Sequence, residues 1–335
     1  MPEELLQRAR AGDGEAFRAL TEPHRHELRV HCYRILGSLQ DAEDILQETY
    51  LAAWRGFHRF EGRSAVRGWL YQIATNQCLN SLRADSRRPR TAYHSEVVMP
   101  PPTRVGDAMW LQPYPDALLD GVPDAAAGPD ARYEFKESVS LAFLAAVQAL
   151  VPRQRAVLVL RDVLGYRAAE VAAMLGSTEH SVTSALKRAR KVMAERLPDH
   201  DRDRASLPVS ARERELAARF AEAFERRDVP AVVALLTDDA WLTMPPLPLE
   251  YQGKADIAHF LTTVAYRDAR RYRLIPTRAN GQPAFACYVV DAHSSVAHAH
   301  GIMVLTLTGD GISMLTRFID NSVLPAFGFP RTLPR

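Results

Sequence analysis

Six residues, His180, Ser181, Ser184, Lys187, Arg188 and Lys191, lie on or beside one helical face within "STEHSVTSALKRARK". Short polar side chains near a helix start reach base edges in a major groove, while Lys and Arg further along neutralise phosphates. The opposite face carries Val182, Leu186, Ala189 and Met193 at i, i+4, i+7 and i+11, an apolar stripe suited to a core. Upstream, a short helix is expected from Ala168 to Leu175, followed by Gly176 to turn the chain and Ser177 or Thr178 to cap the next helix. A short helix, a tight turn and a basic second helix make a helix-turn-helix. A solvated basic face has the same periodicity as a DNA-reading one, and it is the three parts together that favour DNA.

Two further groups have the residue types for recognition. In "FEGRSAVRGWLYQIATNQCLNSLR", Leu70, Ala74, Cys78 and Leu82 form one stripe and Trp69, Ile73, Asn76, Asn80 and Arg83 another. An aromatic, two amides and an Arg on one face suit unpaired bases, through stacking, edge reading and phosphate contact. Trp69 and Ile73 as core with the amides at its rim fit the same pattern. In "DAEDILQETYLAAW", Leu46, Tyr50, Ala53 and Trp54 share one face and Asp44, Gln47 and Glu48 the other. On periodicity alone those acids are a solvated face.

A possible acid/base set comes late in the chain: Asp291, His293, His298, His300 and Asp320. Strand alternation puts His298 and His300 on one side. Lone histidines on sheets are more often surface or satisfied core residues, and "HAH" lacks a placed third ligand for a metal.

These groups need several domains to carry them. A length of 335 residues implies two or three, and 47% hydrophobic against 24% charged residues is a globular composition with apolar material for real cores. No run has the length of a membrane-spanning helix, and the charged, amphipathic start "MPEELLQRARAGDGEAF" lacks a signal peptide's apolar core. Cys32, Cys78 and Cys287 are too scattered for a disulfide framework or a metal site, so a reducing cytoplasm is the expected setting.

Residues 1–90 read as helical throughout. Residues 91–131 hold seven of the 22 prolines and little periodicity, the texture of a linker. Residues 132–198 are helical again. From 211 to 335 two helices, a strand, a helix and a run of strands are expected, with "NGQP" and "GDG" as hairpin turns. Residues 91–138 contain eight acids and three bases, net −5, between the basic clusters "RADSRRPR" and "LKRARKV". Within that polar linker "WLQPYPD" stands out. Trp110, Leu111, Pro113, Tyr114 and Pro115 make a stiff segment able to dock on another domain.

Taken in order, "DAEDILQETYLAAW", "FEGRSAVRGWLYQIATNQCLNSLR" and "LVPRQRAVLVLRDVLGYRAAEVAAMLGSTEHSVTSALKRARK" resemble a bacterial sigma factor of the extracytoplasmic-function group. The resemblance covers most of residues 10–197. It implies two all-α sigma domains, the second a helix-turn-helix, in a dissociable subunit that is not itself an enzyme and gives core RNA polymerase its promoter specificity. By the match to "DILQE", Asp44, Gln47 and Glu48 are implied to dock on the clamp coiled coil of the largest polymerase subunit. The "FEGRSA" loop, with Arg63 and Ser64, and the helix from Trp69, with Asn76, Asn80 and Arg83, match the segment that melts and reads the −10 element. Arg87, Arg88 and Arg90 would add phosphate contacts. The helix-turn-helix matches the −35 reader. Family linkers thread the polymerase channel, for which a net −5 is suited.

Residues 211–335 exceed the minimal family plan and resemble an NTF2-like or SnoaL-like α+β cone around a pocket. Trp241, Met244, Pro245, Tyr251, Phe260, Tyr288 and Phe318 are the expected pocket or core residues. The resemblance extends to a subgroup in which this domain modulates activity in cis, here by gripping "WLQPYPD" in one state and releasing it in another. No cofactor and no metal are expected. The promoter, any pocket ligand and any anti-sigma partner are not legible. A ligand-sensing helix-turn-helix regulator and a bifunctional protein with an enzymatic cone are the alternatives.

Overall fold

The computed structural model describes residues 3–62, 65–85, 98–106, 109–119, 138–196, 210–290, 295–309 and 311–334. Arg63, Ser64, Arg87, Arg88, Arg90, Asp291 and His293 lie outside them. The chain divides into two compact units, one of residues 1–90 with 118–198, the other of residues 91–117 with 199–335.

The first unit begins with helices α1 (Glu3–Arg10), α2 (Gly14–Thr21), α3 (Arg25–Leu36), α4 (Leu39–Gly56) and α5 (Val66–Asp85). Their ends follow local chemistry. Asp13 caps α2 by accepting from the Glu15 and Ala16 amides, Gly37 closes α3 at φ 76°, and Ser38 caps α4 by accepting from the Asp41 amide. Leu28, Ile35, Leu46, Phe57, Leu70 and Ala74 are buried where these helices meet.

The same unit continues with α6 (Leu141–Gln148), α7 (Pro152–Leu158), α8 (Ala168–Met174) and α9 (Glu179–Arg196). The two helical blocks touch. Arg34 Nη2 donates to Ser138 Oγ at 2.7 Å, Arg155 Nη1 to the Ile35 carbonyl at 3.4 Å, and the rings of Tyr71 and Tyr166 meet edge-on at 5.9 Å.

His31 is wholly buried between α3 and α5. Its Nε2 bonds Thr75 Oγ1 at 2.8 Å. Thr75 spends its own proton on the Tyr71 carbonyl, so the imidazole donates. Burial, with Arg34 adding to it, pushes the His31 pKa down to about 3. The unfolded chain therefore binds a proton that the folded one refuses, and stability is full above the ordinary histidine pKa and falls as pH drops below it. At pH 5 the expected loss is about 2 kcal/mol. Denaturant unfolding at pH 7.5 and 5 checks this, and His31→Gln should remove most of the difference.

The second unit is built on one mixed sheet. Its strands are β1 (Arg104–Val105), β2 (Leu236–Met244), β3 (Leu247–Gln252), β4 (Arg271–Ala279), β5 (Gln282–Val290), β6 (Val296–Thr308), β7 (Gly311–Phe318) and β8 (Thr332–Pro334). The order is β1-β3-β2-β7-β6-β5-β4, with β8 on β6. Only β2 and β7 run parallel among these pairs. Helices α10 (Ala211–Glu225), α11 (Val229–Ala234) and α12 (Gly253–Phe260) accompany the sheet, and Phe220, Phe224, Val232, Ile257 and Phe260 join its core.

Two strands, β2 and β3, precede α12 where one was expected, because the short "MPPL" link lets the chain double back. Asn280 and Gly281 both have positive φ, 57° and 76°, and Ala279 pairs with Gln282. "NGQP" is thus a two-residue hairpin turn of the primed type, matching strand twist. The further difference from the sequence reading is β1. It comes from the linker, and it pairs Arg104 with Glu250 and Val105 with Leu249.

Candidate functional site

In the helix-turn-helix, Gly176 turns the chain at φ +56°, and Thr178 Oγ1 accepts from the Ser181 amide at 3.2 Å, capping α9. Val182, Leu186, Ala189 and Met193 are buried. His180, Lys187, Arg188 and Lys191 are exposed on the other side, with Ser181 and Ser184 half-buried between. Arg190 forks onto Asp162 at 2.9 and 2.7 Å, which ties α9 to the turn after α7. The basic face is therefore held at a fixed angle by packing on one side and an ion pair at its edge.

On α5, Asn76, Asn80 and Arg83 are exposed, and Arg83 Nη1 donates to Asn80 Oδ1 at 3.2 Å. Trp69 is half-buried: its ring lies 5.0 Å from Phe60 and 5.6 Å from Phe57. Both sequence readings of Trp69 describe part of it, a core aromatic with an open side. Asn76 Nδ2 donates to the Met174 carbonyl of α8 at 3.3 Å, so here the amide faces the helix-turn-helix block.

Asp44, Gln47 and Glu48 are exposed along α4. Leu51, one turn on from Gln47 and Glu48, is 55% exposed. Sequence reading passed over it. Its signal was the spacing 44, 47, 48, 51, which continues the acidic stripe with an apolar residue.

The linker is seated within the second unit along two stretches. Residues 100–106 run beside β3. Tyr251 Oη donates to the Pro100 carbonyl at 2.9 Å, the Gln252 amide donates to Thr103 Oγ1 at 2.9 Å, and the Gly106 amide donates to the Pro248 carbonyl at 2.7 Å. Arg104 Nε reaches Glu250 Oε2 at 2.6 Å, and its guanidinium lies 4.8 Å over the Trp241 ring.

"WLQPYPD" lies on the β4–β5 turn. Tyr114 and Asn280 exchange two bonds, Tyr114 amide to Asn280 Oδ1 at 2.8 Å and Asn280 amide to the Tyr114 carbonyl at 2.9 Å. Asp116 accepts from the Gly281 amide at 2.8 Å and from Arg278 Nε at 3.1 Å. Arg278 also pairs with Glu213 and donates to the Gly281 carbonyl. Gln112 Nε2 donates to Asp320 Oδ2 at 3.1 Å.

Leu111, Pro113, Tyr114 and Pro115 are buried, Tyr114 completely. Of the five docking residues read from the sequence, Trp110 is the exception, being 51% exposed. In an extended segment neighbours point to opposite sides, and the stretch turns Leu111 inward. The Asn280–Gly281 turn, read from sequence only as a hairpin, is the receptor. Positive φ at both positions turns polar main-chain groups outward, and the linker takes them.

The sheet and helices enclose a cavity of about 230 Å³. Phe224, Leu242, Met244, Phe260, Met303 and Leu315 line it, and Met99 of the linker contributes to the wall. Of the expected lining residues, Met244 and Phe260 are there. Trp241, Tyr251, Phe318 and Tyr288 are not part of the lining. Trp241 alternates with Leu242, so it faces Arg104 instead. Phe318 alternates with Arg317, and it is Arg317 that lines the cavity. Tyr251 packs on Phe260 at 4.9 Å and turns its hydroxyl to the linker, and Tyr288 Oη donates to the Pro330 carbonyl at 2.7 Å.

The polar lining is Arg267, Arg270, Tyr272, His300 and Arg317. His300 stacks on Tyr272 at 5.9 Å. Burial, reinforced by Arg317, Arg270 and Arg267, pushes its pKa down to about 3. His298 is exposed and outside the lining. Asp320 caps the following turn through the Ser322 amide and is not in the lining. The possible acid/base set is therefore not assembled among the described residues. No cluster there has the makings of a metal site, and no helix there is long and apolar enough to cross a membrane.

Comparisons with known proteins agree with this layout. Residues 20–88 match Sigma-70 region 2, residues 140–193 match Sigma-70, region 4, and residues 217–319 match the SnoaL-like domain. The chain is 41% identical over 332 residues to the ECF RNA polymerase sigma factor SigG of Mycobacterium tuberculosis (strain CDC 1551 / Oshkosh), covering 97% of this chain and 86% of that one. It is 32% identical over 191 residues to the ECF RNA polymerase sigma factor SigM of Mycobacterium tuberculosis (strain ATCC 35801 / TMC 107 / Erdman), covering 57% of this chain and 82% of that one. The crystal structure of the extracytoplasmic function sigma factor SigJ of Mycobacterium tuberculosis shares the fold at a TM-score of 0.57 and 21% identity, over 93% of this chain and 98% of that one. With both sigma-70 regions in order, a basic recognition helix and a SnoaL-like domain that follows them, the chain belongs to the extracytoplasmic-function sigma factors of RNA polymerase.

Proposed function

We propose that this sigma factor is regulated in cis by its own C-terminal domain, which withholds the linker from polymerase. The carrying observation is the seat of residues 100–106 and 111–116 on β3 and the β4–β5 turn. A linker bound there is not at the same time free to enter a polymerase channel. In the working state Asp44, Gln47 and Glu48, with Leu51 beside them, dock on the clamp coiled coil of the largest subunit. Trp69, Asn76, Asn80 and Arg83 of α5 address the −10 element, and the resemblance assigns Arg63, Ser64, Arg87 and Arg88, outside the described residues, to the same element. His180, Ser181 and Ser184 read the −35 element while Lys187, Arg188 and Lys191 hold phosphates. The bond from Asn76 to Met174 must break before that amide can meet a base.

The C-terminal domain acts by binding and not by catalysis. In support, the cavity lining carries no carboxylate among the described residues, and its one histidine is held neutral by burial and by three guanidinium groups.

Run-off transcription with core polymerase, comparing the full chain with residues 1–210, tests the reading. More transcript from the truncated chain at limiting polymerase is the expected result. Equal transcript from both would overturn regulation in cis, and failure of the truncated chain to bind core polymerase would overturn the docking assignment. Promoter affinity should also lose about 0.9 from its log–log salt slope for each of Lys187→Ala and Lys191→Ala. Titrations at several salt concentrations measure that.

A further inference from the structure

Three guanidinium groups converge on the cavity in the second unit, and their surroundings do not balance them. Arg267, Arg270 and Arg317 all line it, together with His300, which is uncharged at neutral pH. Arg317 spends its donors on the main-chain carbonyls of His300 and Phe318. Arg267 Nε is buried with no hydrogen-bond partner among the described residues. Neither Arg267 nor Arg270 pairs with a carboxylate among those residues, whereas Arg278, Arg104, Arg67 and Arg190 each do. Buried or half-buried charge is normally paired, because leaving it unpaired in apolar surroundings is costly. Tyr272 apart, the rest of the wall is apolar, with Leu242, Met244, Phe260, Met303 and Leu315.

We propose that this cavity binds an aliphatic carboxylate, its head held by Arg267 and Arg270 and its chain against the apolar wall. The guanidinium fork matches the planar carboxylate with two parallel N–H donors. Arg317 is already committed to main-chain carbonyls, which leaves Arg267 and Arg270 for one head, and a cavity of about 230 Å³ favours the planar carboxylate over the bulkier phosphate. Neutral His300 presents a ring face or a single N–H, and so it tolerates the carboxylate without competing for its charge. Because Met99 of the linker forms part of the wall, the bound chain would touch the regulated segment directly.

The test is calorimetric titration of the full chain with decanoate, decanol, decyl phosphate and decyltrimethylammonium, each below its micelle concentration. Decanoate should bind, with decanol weaker by about tenfold or more, the usual worth of charge-assisted hydrogen bonds. Decyltrimethylammonium should not bind. Arg270→Gln should weaken decanoate by about tenfold and leave decanol unchanged, and Arg270→Lys should recover part of the loss. Among the described residues no carboxylate pairs with Arg270, so folding should tolerate both changes. Equal affinity for decanoate and decanol, tighter binding of decyl phosphate, an unaffected Arg270→Gln variant, or no binding of decanoate would each overturn the assignment. None of these readouts depends on polymerase, so the result stands apart from regulation in cis.

Discussion

Tyr114→Ala is expected to detach "WLQPYPD" from the C-terminal domain while leaving the domain folded. Tyr114 is completely buried, whereas the strands beneath it are held by their own ladders. Truncating a buried aromatic costs about 3–5 kcal/mol. Spent on a local docking equilibrium, that shifts the bound-to-free ratio by about two to four orders of magnitude. Hydrogen exchange reports it directly: the Tyr114 and Asn280 amides, bonded to each other's residues, should lose protection while the β5–β6 ladder keeps its own. If binding to polymerase requires a free linker, the fraction of competent molecules rises and apparent affinity for core polymerase rises with it. Trp110→Ala is the contrast. Its ring is half exposed, so the change should move both readouts by less than about 1 kcal/mol. Equal effects from the two variants would contradict this seating.

The second large effect is expected from Arg67→Met, in the first unit. Glu27 is 6% exposed. It accepts from Arg67 Nη2 at 2.7 Å and Nε at 2.9 Å, from Tyr71 Oη at 3.2 Å, and pairs with His24 Nδ1 at 2.6 Å. Removing one partner of a buried pair strands the other, at about 3–5 kcal/mol. Here the remaining contacts to Tyr71 and His24 favour the lower end. Because α5 carries Trp69, Asn76, Asn80 and Arg83, the loss should appear as faster exchange along α5 and as weakened promoter opening.

A double variant, Arg67→Met with Glu27→Gln, removes the stranded charge and should recover much of the stability. A double-mutant cycle in denaturant measures the coupling. Despite the burial that opposes it, the hydrogen bonds from His24 and Arg67 and the Arg67 charge hold the Glu27 carboxyl below its ordinary pKa. Its contribution is therefore present above the ordinary carboxylate range and is lost as pH falls through and below it. Arg67→Met should weaken that acid sensitivity.

Much of the first unit was legible because its signals are local. The α9 stripe follows from 3.6-residue periodicity, its start from the reach of Thr178 to the Ser181 amide, and its turn from a Gly at positive φ. The "NGQP" hairpin is equally local. Pairings distant in sequence could not be read so: Arg34 with Ser138, Asn76 with Met174, and the strand that Arg104 and Val105 add to β3. The cavity lining failed for a different reason. Several strands of the C-terminal sheet are covered on both faces, with Phe318 and Arg317 adjacent and both partly or fully enclosed. Aromatic content then marks burial but not side, and Trp241, Tyr251 and Phe318 were placed by size where alternation decides.

Strand β1 has one more consequence. When the linker leaves, β3 loses the neighbour on its outer side, and a bare strand edge is a template on which another chain can pair. The sequence of β3, "LPLEYQ", is suited to that moment. Pro248 offers no N–H to a ladder, and it is its carbonyl that Gly106 uses while the linker is in place. Glu250 is covered and paired with Arg104 in the closed state. Once uncovered it becomes an unpaired charge in the middle of a short edge, and two copies meeting there would set carboxylate against carboxylate. Under regulation in cis, the residue that holds the linker down would thus also keep the opened molecule from sticking to its own kind.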